Sequence, residues 1–437
     1  MKDIYISDIN KNFSFITKIL KSIVPYYGKQ NPPKNFFSKW KKVKKCYDSG
    51  GFSFLMGNIS ESQLDPDRTI EIYNTLGHGE NDILLQLDLP PYSEDNMEKR
   101  LTLIDKNVEY YFYQKAKIEK IIPILHGWKR NELEYHLDKL NGFKSPIAAV
   151  YNGCLTKSKT IAVGSNLSLV KTKKVAMGSY LATAKDKKRK VSFEKVLNHI
   201  LYSLQTLDGY EVIVLGAGNV NMSHILFSLG AQATDGCSWR IDAAFGRIYL
   251  VGKTPISFLT VTKVKDKRGL LSILGAKIGN SIIKELVKSS FYLSEQFQSE
   301  IRRLSVKYKI PLIKLKQIIK DFFIIRRSGR NPIDEDMIIL REMHELPNHP
   351  FHDLPFKIFF EKLKRSSGVR AYHNAFVITL EENIARQHEN DEDSYFKYLK
   401  KRFESYSSKI HLDVLKFFHK RMRYPYIQQN LEIYLRN

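Results

Sequence analysis

Two aspartates stand in runs whose neighbours could put a carboxylate to chemical use. Asp48 opens the run DSGGF, and Asp235 lies in GAQATDGCSWR. A carboxylate can attack an acetal-like carbon and hold it as an ester while one group leaves and another enters. A second carboxylate can carry the proton that such an exchange moves. Gly50 and Gly51 let backbone approach a flat ligand closely, and Phe52 offers it a stacking face. By itself, D-S-G-G is also an ordinary turn sequence, and a lone aspartate after an apolar run is also simply the start of a loop. The pair gains meaning only from the elements that must position it.

Those elements read as an alternation of short apolar runs and longer amphipathic stretches between about residues 48 and 250. The runs are NDILLQLDLP (81–90), KIIPILHG (120–127), SPIAAVYN (145–152), KTIAVGS (159–165), YEVIVLGAG (210–218) and AFGRIYLVG (244–252). Their Ile, Val and Leu content, with Gly or Pro at the exits, predicts buried parallel strands. Helices are predicted over 97–119, 130–141, 192–207 and 220–229. Asp48, Asp88, His126 and Gly164 each close an apolar run, at intervals of 40, 38 and 38 residues. Gly216 and Asp235 follow the same rule. A closed barrel brings such strand-end residues to one face, whereas an open sheet spreads them along an edge. The expectation is an α/β fold: a TIM-type (β/α)8 barrel over residues 1–275.

A mainly helical, basic domain is expected over 276–437, with helices at 276–290, 293–308, 312–326, 333–345, 355–366 and 392–425. One strand-like run, AFVITLEE (375–382), interrupts it. The segment 299–323 reads as helix, tight turn, helix around Ile310–Pro311, either a DNA-reading helix-turn-helix or an ordinary helical hairpin. The 437 residues carry 70 Lys and Arg against 46 Asp and Glu, a formal charge of +24. That excess favours a polyanionic partner, because neutralised phosphates release counterions. Lys187, Lys188 and Arg189, in KDKKRK (185–190), are either a solvated loop or phosphate contacts.

Three widely spaced cysteines (Cys46, Cys154 and Cys237) imply no disulfide framework and fit a reducing compartment. No C-x-x-C pair is present for a thiolate zinc site. With no secretory leader pattern and no apolar run of about twenty residues, a soluble cytoplasmic protein without a membrane span is expected. Gly216-x-Gly218 opens like a dinucleotide fingerprint, but Asn221 stands where its third glycine belongs, which disfavours a nicotinamide cofactor.

Taken in order, DSGGF, LLQLD ending in Asp88, PILHG, AVG (162–164), LGAG (215–218) and Asp235 ahead of Arg240 resemble the tRNA-guanine transglycosylase superfamily over residues 46–250. The resemblance implies Asp235 as nucleophile and Asp48 as acid/base. It implies Asp88 on the guanine edge, the Gly164 backbone beside the base, Phe52 and Leu215 on either face of the ring, and Gly216 close by. Neither a cofactor nor a metal is needed for such an exchange. The chain departs from the family in three places. The zinc cysteines that follow the nucleophile are missing, His126 stands where a Gln precedes Gly, and Gly236–Cys237–Ser238–Trp239 are altered ahead of Arg240, where sugar and phosphate would lie.

Together with the basic second half, these departures resemble the DNA-acting branch, the DpdA group, linked to 7-deazaguanine bases in DNA. Its implied activity is exchange of guanine for a base such as 7-cyano-7-deazaguanine, with DNA, the free base and other DNA-modification proteins as partners. His126 reads equally as a buried core histidine. The alternatives are a tRNA enzyme that has lost its zinc site, an inert nucleic-acid-binding barrel, and a barrel glycoside hydrolase. The last is disfavoured because a basic surface suits no neutral sugar.

Overall fold

A computed structural model describes residues 2–7, 9, 13–28, 30–37, 40, 42–55, 59–92, 95–141, 150–151, 154–155, 174–177, 204, 211–216, 219–236, 238–258, 260–288, 294–327 and 330–404. The chain divides into two compact units. The first holds Met1–Cys237, Glu382–Lys400 and Lys409–Asn437; the second holds Ser238–Glu381 and Lys401–Ser408. The division therefore falls at Cys237 and again inside the helix Ser367–Gln387, not at the expected residue 275, and the chain returns to the first unit after the second.

The first unit is built on β1 (Asp3–Ser7), β2 (Lys18–Ser22), β3 (Lys44–Asp48), β4 (Ile83–Leu85), β5 (Ile121–Ile122) and β6 (Ile124–Leu125). A short antiparallel hairpin, β7 (Val150–Tyr151) and β8 (Cys154–Leu155), comes next, followed by β9 (Lys174–Met177), β10 (Glu211–Val214) and β11 (Ala233–Gly236). Nine strands pair in parallel in the order β5-β4-β3-β2-β1-β11-β10-β9-β6. The two ends of that order are separated only by Pro123, whose carbonyl accepts from Ala176 N at 3.2 Å, so the sheet forms a nearly closed barrel. Helices Met97–Lys117, Arg130–Asn141 and Val220–Ser228 pack on β5, β6 and β11.

The barrel interior is set by the two-residue period of strands. Tyr5, Leu20, Cys46, Ile122, Ala176, Ile213 and Ala233 pack together as its apolar middle. Two positions earlier stand Asp3, Lys18, Lys44, Lys174 and Glu211, a charged floor at the amino ends. Lys18 lies 3.4 Å from Asp3, and Lys174 lies 2.9 Å from Glu211. Two positions later stand Ser7, Ser22, Asp48, Leu215 and Asp235 at the carboxyl ends. The floor is tied down by Glu382, which accepts from Ile4 N and from Lys18 Nζ, each at 2.8 Å.

The second unit contains two antiparallel ribbons. One is β12 (Ile248–Leu250) with β13 (Lys253–Ile256); the other is β14 (Thr260–Val264) with β15 (Phe323–Arg327). Three expectations are corrected. AFGRIYLVG supplies β12 to a ribbon rather than a parallel barrel strand. The helix from 312 ends at Phe322, because 323–327 pair with β14. AFVITLEE is helical, within Ser367–Gln387. Its Ala375, Phe376, Val377 and Ile378 are all buried, and a helix buried all round shows the same continuous apolar run as a buried strand. In addition, Val150–Tyr151 of the run at 145–152 pairs in the hairpin and not in the barrel. The run at 159–165 and all but Leu204 of the predicted helix 192–207 lie outside the described residues. Among the described residues, no helix is long and apolar enough to cross a membrane.

Candidate active site

Because the barrel strands run parallel, residues at their carboxyl ends share one face, the face where barrel enzymes place their sites. Asp235 lies on β11, two positions past the core residue Ala233, and is buried. Its Oδ2 accepts from Ser7 Oγ at 3.3 Å and its Oδ1 from Gly216 N at 2.7 Å. One donor comes from the neighbouring strand β1 and the other from the turn after β10, so the carboxylate is aimed by both flanking strands. Two donors from separate elements fix the orientation of this carboxylate at the barrel end.

Asp48 ends β3 and is half-buried. Its Oδ1 accepts from Gly50 N at 3.3 Å, and its carbonyl accepts from Ile23 N at 3.0 Å. Gly50 takes φ +96°, and a Cβ there would collide with the Val24 side chain, so the bend after Asp48 requires glycine. The Cys46 thiol is buried in the barrel middle, two positions before Asp48 on β3. Burial pushes that thiol's pKa up, and the two carboxylates raise it further. Asp235 and Asp48 stand on strands three places apart in the sheet, at most about 14 Å along it at the usual strand spacing.

Beside Asp48 lies a second polar group. Asp88, three residues past β4, accepts from Ser49 Oγ at 2.7 Å on Oδ1 and lies 3.0 Å from His126 Nε2 on Oδ2. Asp88 is 4% exposed and His126 1%. Gly51 packs directly on this carboxylate, leaving no room for a Cβ. The loop bearing Asp88 is braced by fully buried amides. Leu87 N donates to Gln114 Oε1, and Leu89 N donates to Asn107 Oδ1. Behind His126, its backbone N–H donates to Nδ1 of His136 at 3.0 Å. Burial lowers the His136 pKa to about 3, so this ring stays a neutral acceptor. Glu132, paired with Arg100, accepts from Trp128 N at 2.8 Å and steadies the loop that follows.

Asp48, Asp88, His126, Leu215, Gly216 and Asp235 are thus gathered at one barrel end. Leu215 packs on the barrel core. Phe52 lies in the short helix Gly51–Leu55, but its side chain is outside the described residues, as are Gly164, Lys187, Lys188 and Arg189. Arg240 belongs to the second unit, where it is exposed with its guanidinium 5.8 Å from the Trp239 ring. Sequence reasoning missed Ser7 and the part played by Ser49. The apolar, β-branched core of DIYIS was the available sign of a strand that would carry Ser7 to Asp235. Among the described residues, no group of three or more His, Cys, Asp or Glu side chains is placed to hold a metal ion. No family model matches the chain, and no curated protein matches it.

Proposed function

We propose that this protein is a base-exchange transglycosylase that replaces guanine in DNA with a 7-deazaguanine base, 7-cyano-7-deazaguanine being the first choice. The observation that carries the reading is the pair of carboxylates at one barrel end. Asp235, at the end of β11, is held by Ser7 and Gly216, and Asp48, half-buried, ends β3 two positions past the core residue Cys46. An Asp235 oxygen attacks C1′ of the deoxyribose, the C1′–N bond breaks, and the electron pair leaves with guanine, which takes a proton from Asp48. The entering base attacks C1′, the ester bond to Asp235 breaks, and the entering base returns a proton to Asp48. Two carboxylates divide the work as in a retaining glycosidase, with a second base in place of water. The exchange is redox-neutral.

Asp88, Ser49 and His126 form the polar wall that reads the base edge in this scheme. Ile121–Leu125 acts as one strand interrupted at Pro123, which has no N–H to donate to a ladder, giving a scaffold of (β/α)8 type. A paired guanine is out of reach of such a pocket, so the target nucleotide is flipped out of the stack. The net charge of +24 suits the polyanion.

The test is incubation with labelled 7-cyano-7-deazaguanine and either guanine-containing DNA or RNA of the same sequence. Label should enter DNA, and a denaturation-resistant adduct should form that Asp235→Ala abolishes. Asp48→Asn should slow turnover by about 10²–10⁴-fold, the usual worth of general acid–base help. Label in RNA alone would move the substrate to tRNA. No label and no adduct with either polymer would leave an inert binding barrel.

A further inference from the structure

The base-exchange reading leaves the helical hairpin of the second unit without a role. Helix Ser294–Lys307 and helix Leu312–Phe322 are joined by the four residues 308–311. The turn is built for a sharp re-entry. Lys309 takes φ +52°, Ile310 N donates to Ser305 O at 3.0 Å, and Ser305 Oγ donates to Ile310 O at 2.6 Å. Leu304, Leu315, Ile318 and Ile319 bury the inner faces against Leu270, Ile282 and Leu286 of two preceding helices. This is the arrangement in which a second helix is held out from a small helical core.

The outer stripe of that second helix is unlike a plain solvated face. Ile313 is 84% exposed, and Lys316, Gln317 and Lys320 continue along the same side, opposite Leu315, Ile318 and Ile319. Lys314, Lys316 and Lys320 make no ion pair among the described residues. By contrast, Arg303 and Lys307 on the preceding helix are neutralised by Glu285. Residues 299–327 carry nine Lys and Arg against Glu300 and Asp321 alone. The helix starts at Pro311 with no side-chain cap and no acidic residue in its first turn, and Pro311, Ile313 and Lys314 are exposed, so the positive end of its dipole lies in an exposed stretch. It runs directly into β15, which pairs with β14 as a two-stranded ribbon carrying Arg326 and Arg327 opposite Val261 and Thr260.

We propose that this hairpin is a helix-turn-helix that docks on duplex DNA, with helix Leu312–Phe322 in the major groove. An exposed isoleucine near the helix start suits a thymine methyl, and lysines on the same stripe suit flanking phosphates. B-form DNA admits a helix in this way, whereas the deep, narrow major groove of A-form RNA does not. The proposal does not depend on any base-exchange chemistry.

Fluorescence anisotropy on the full chain tests it, with a labelled 30-mer as DNA duplex, RNA duplex and single-stranded DNA and no free base present. Lys316→Glu/Lys320→Glu changes two exposed side chains and should leave the thermal midpoint unaltered. The double variant should weaken DNA-duplex binding by on the order of tenfold or more at about 0.1 M salt, and reduce the salt slope by about 2. Ile313→Ala, measured on two DNA duplexes of different sequence, should reduce the preference between them while leaving the salt slope in place. Unchanged DNA-duplex affinity and slope in the double variant would overturn the proposal. So would an equal loss on duplex RNA, which would mark a generic phosphate surface. Asp235→Ala should bind the duplex as the parent does, so failure of the exchange chemistry and failure of this docking site are read separately.

Discussion

At the scale of single residues, two adjacent glycines decide whether the polar wall can form. Gly50 supplies the left-handed bend after Asp48, while Gly51 supplies only space, for the carboxylate of Asp88. Gly51→Ala removes no hydrogen bond directly, and alanine is the better helix former at the start of Gly51–Leu55. The collision with Asp88 outweighs that gain, because the carboxylate is held from the other side by Ser49 and His126. The substitution should cost about 1–3 kcal/mol in urea unfolding, the range of overpacked sites. In an Asp88→Ala background the same change should cost little, since the group it strikes is gone. Equal costs in both backgrounds would refute the close packing of Gly51 on Asp88. The run DSGGF pointed to this corner from the sequence alone, but the partner of each glycine was not legible there. Val24 and Asp88 lie 26 and 37 residues from the glycines they meet.

At the scale of elements, the helix Ser367–Gln387 shows why local pattern misled. Its middle is a run of β-branched and aromatic residues, which favours a strand when read locally. Burial on every side removed the polar stripe that marks most helices. Its last turns bring Glu382 to the barrel floor, where it accepts from Ile4 N and Lys18 Nζ and also pairs with Arg386. Burial pushes the Glu382 carboxyl pKa up, and Lys18 opposes that shift. Glu382→Ala leaves Lys18 buried with Asp3 as its remaining acidic neighbour among the described residues, and takes from Ile4 N the Glu382 oxygen that accepts from it. A loss of about 3–5 kcal/mol in chemical denaturation is expected, the usual cost of breaking a buried pair from one side. Glu382→Gln keeps a carbonyl acceptor and should lose less. A cost below about 1 kcal/mol for the alanine variant would mean that the floor does not rely on this helix.

At the scale of the whole molecule, acid should weaken the second unit through a cluster of buried histidines, in addition to any effect of His136 on the first. His349 lies 3.1 Å from His373, whose other ring nitrogen is 3.0 Å from the Tyr249 carbonyl, and His344 stacks on Phe359. Burial lowers the pKa of His349 to about 2 and of His373 to about 4, and it lowers that of His344 as well. These rings fold neutral, while an unfolded histidine titrates near 6.5, so unfolding takes up protons below that pH. Their contribution is complete above about pH 6.5 and is lost as pH falls toward the folded values. From pH 7.5 to 4.5 the loss is on the order of 2 kcal/mol for His373. Urea midpoints at the two pH values should show it. His373→Gln should shrink the pH dependence, whereas the exposed His352→Gln should not. A midpoint independent of pH over this range would contradict the buried neutral cluster.

By itself, the sequence determined the α/β character of the first half, most helices of the second, and the strand-end positions of Asp48, Asp88, His126 and Asp235. Each of these is written in local periodicity, because an apolar run of four or five residues with a polar exit has few other ways to be buried. Tertiary structure alone decided the rest. The strands DIYIS and KILKS escaped notice because Asp3 and Lys18 look solvent-facing until Glu382 and Arg386, more than 360 residues away, neutralise them. Asp235 became a held carboxylate only when β1 brought Ser7 beside it from 228 residues away. The exit of the chain after β11 into a second unit, and its return at Glu382, depend on contacts between distant segments. No window of sequence contains those contacts.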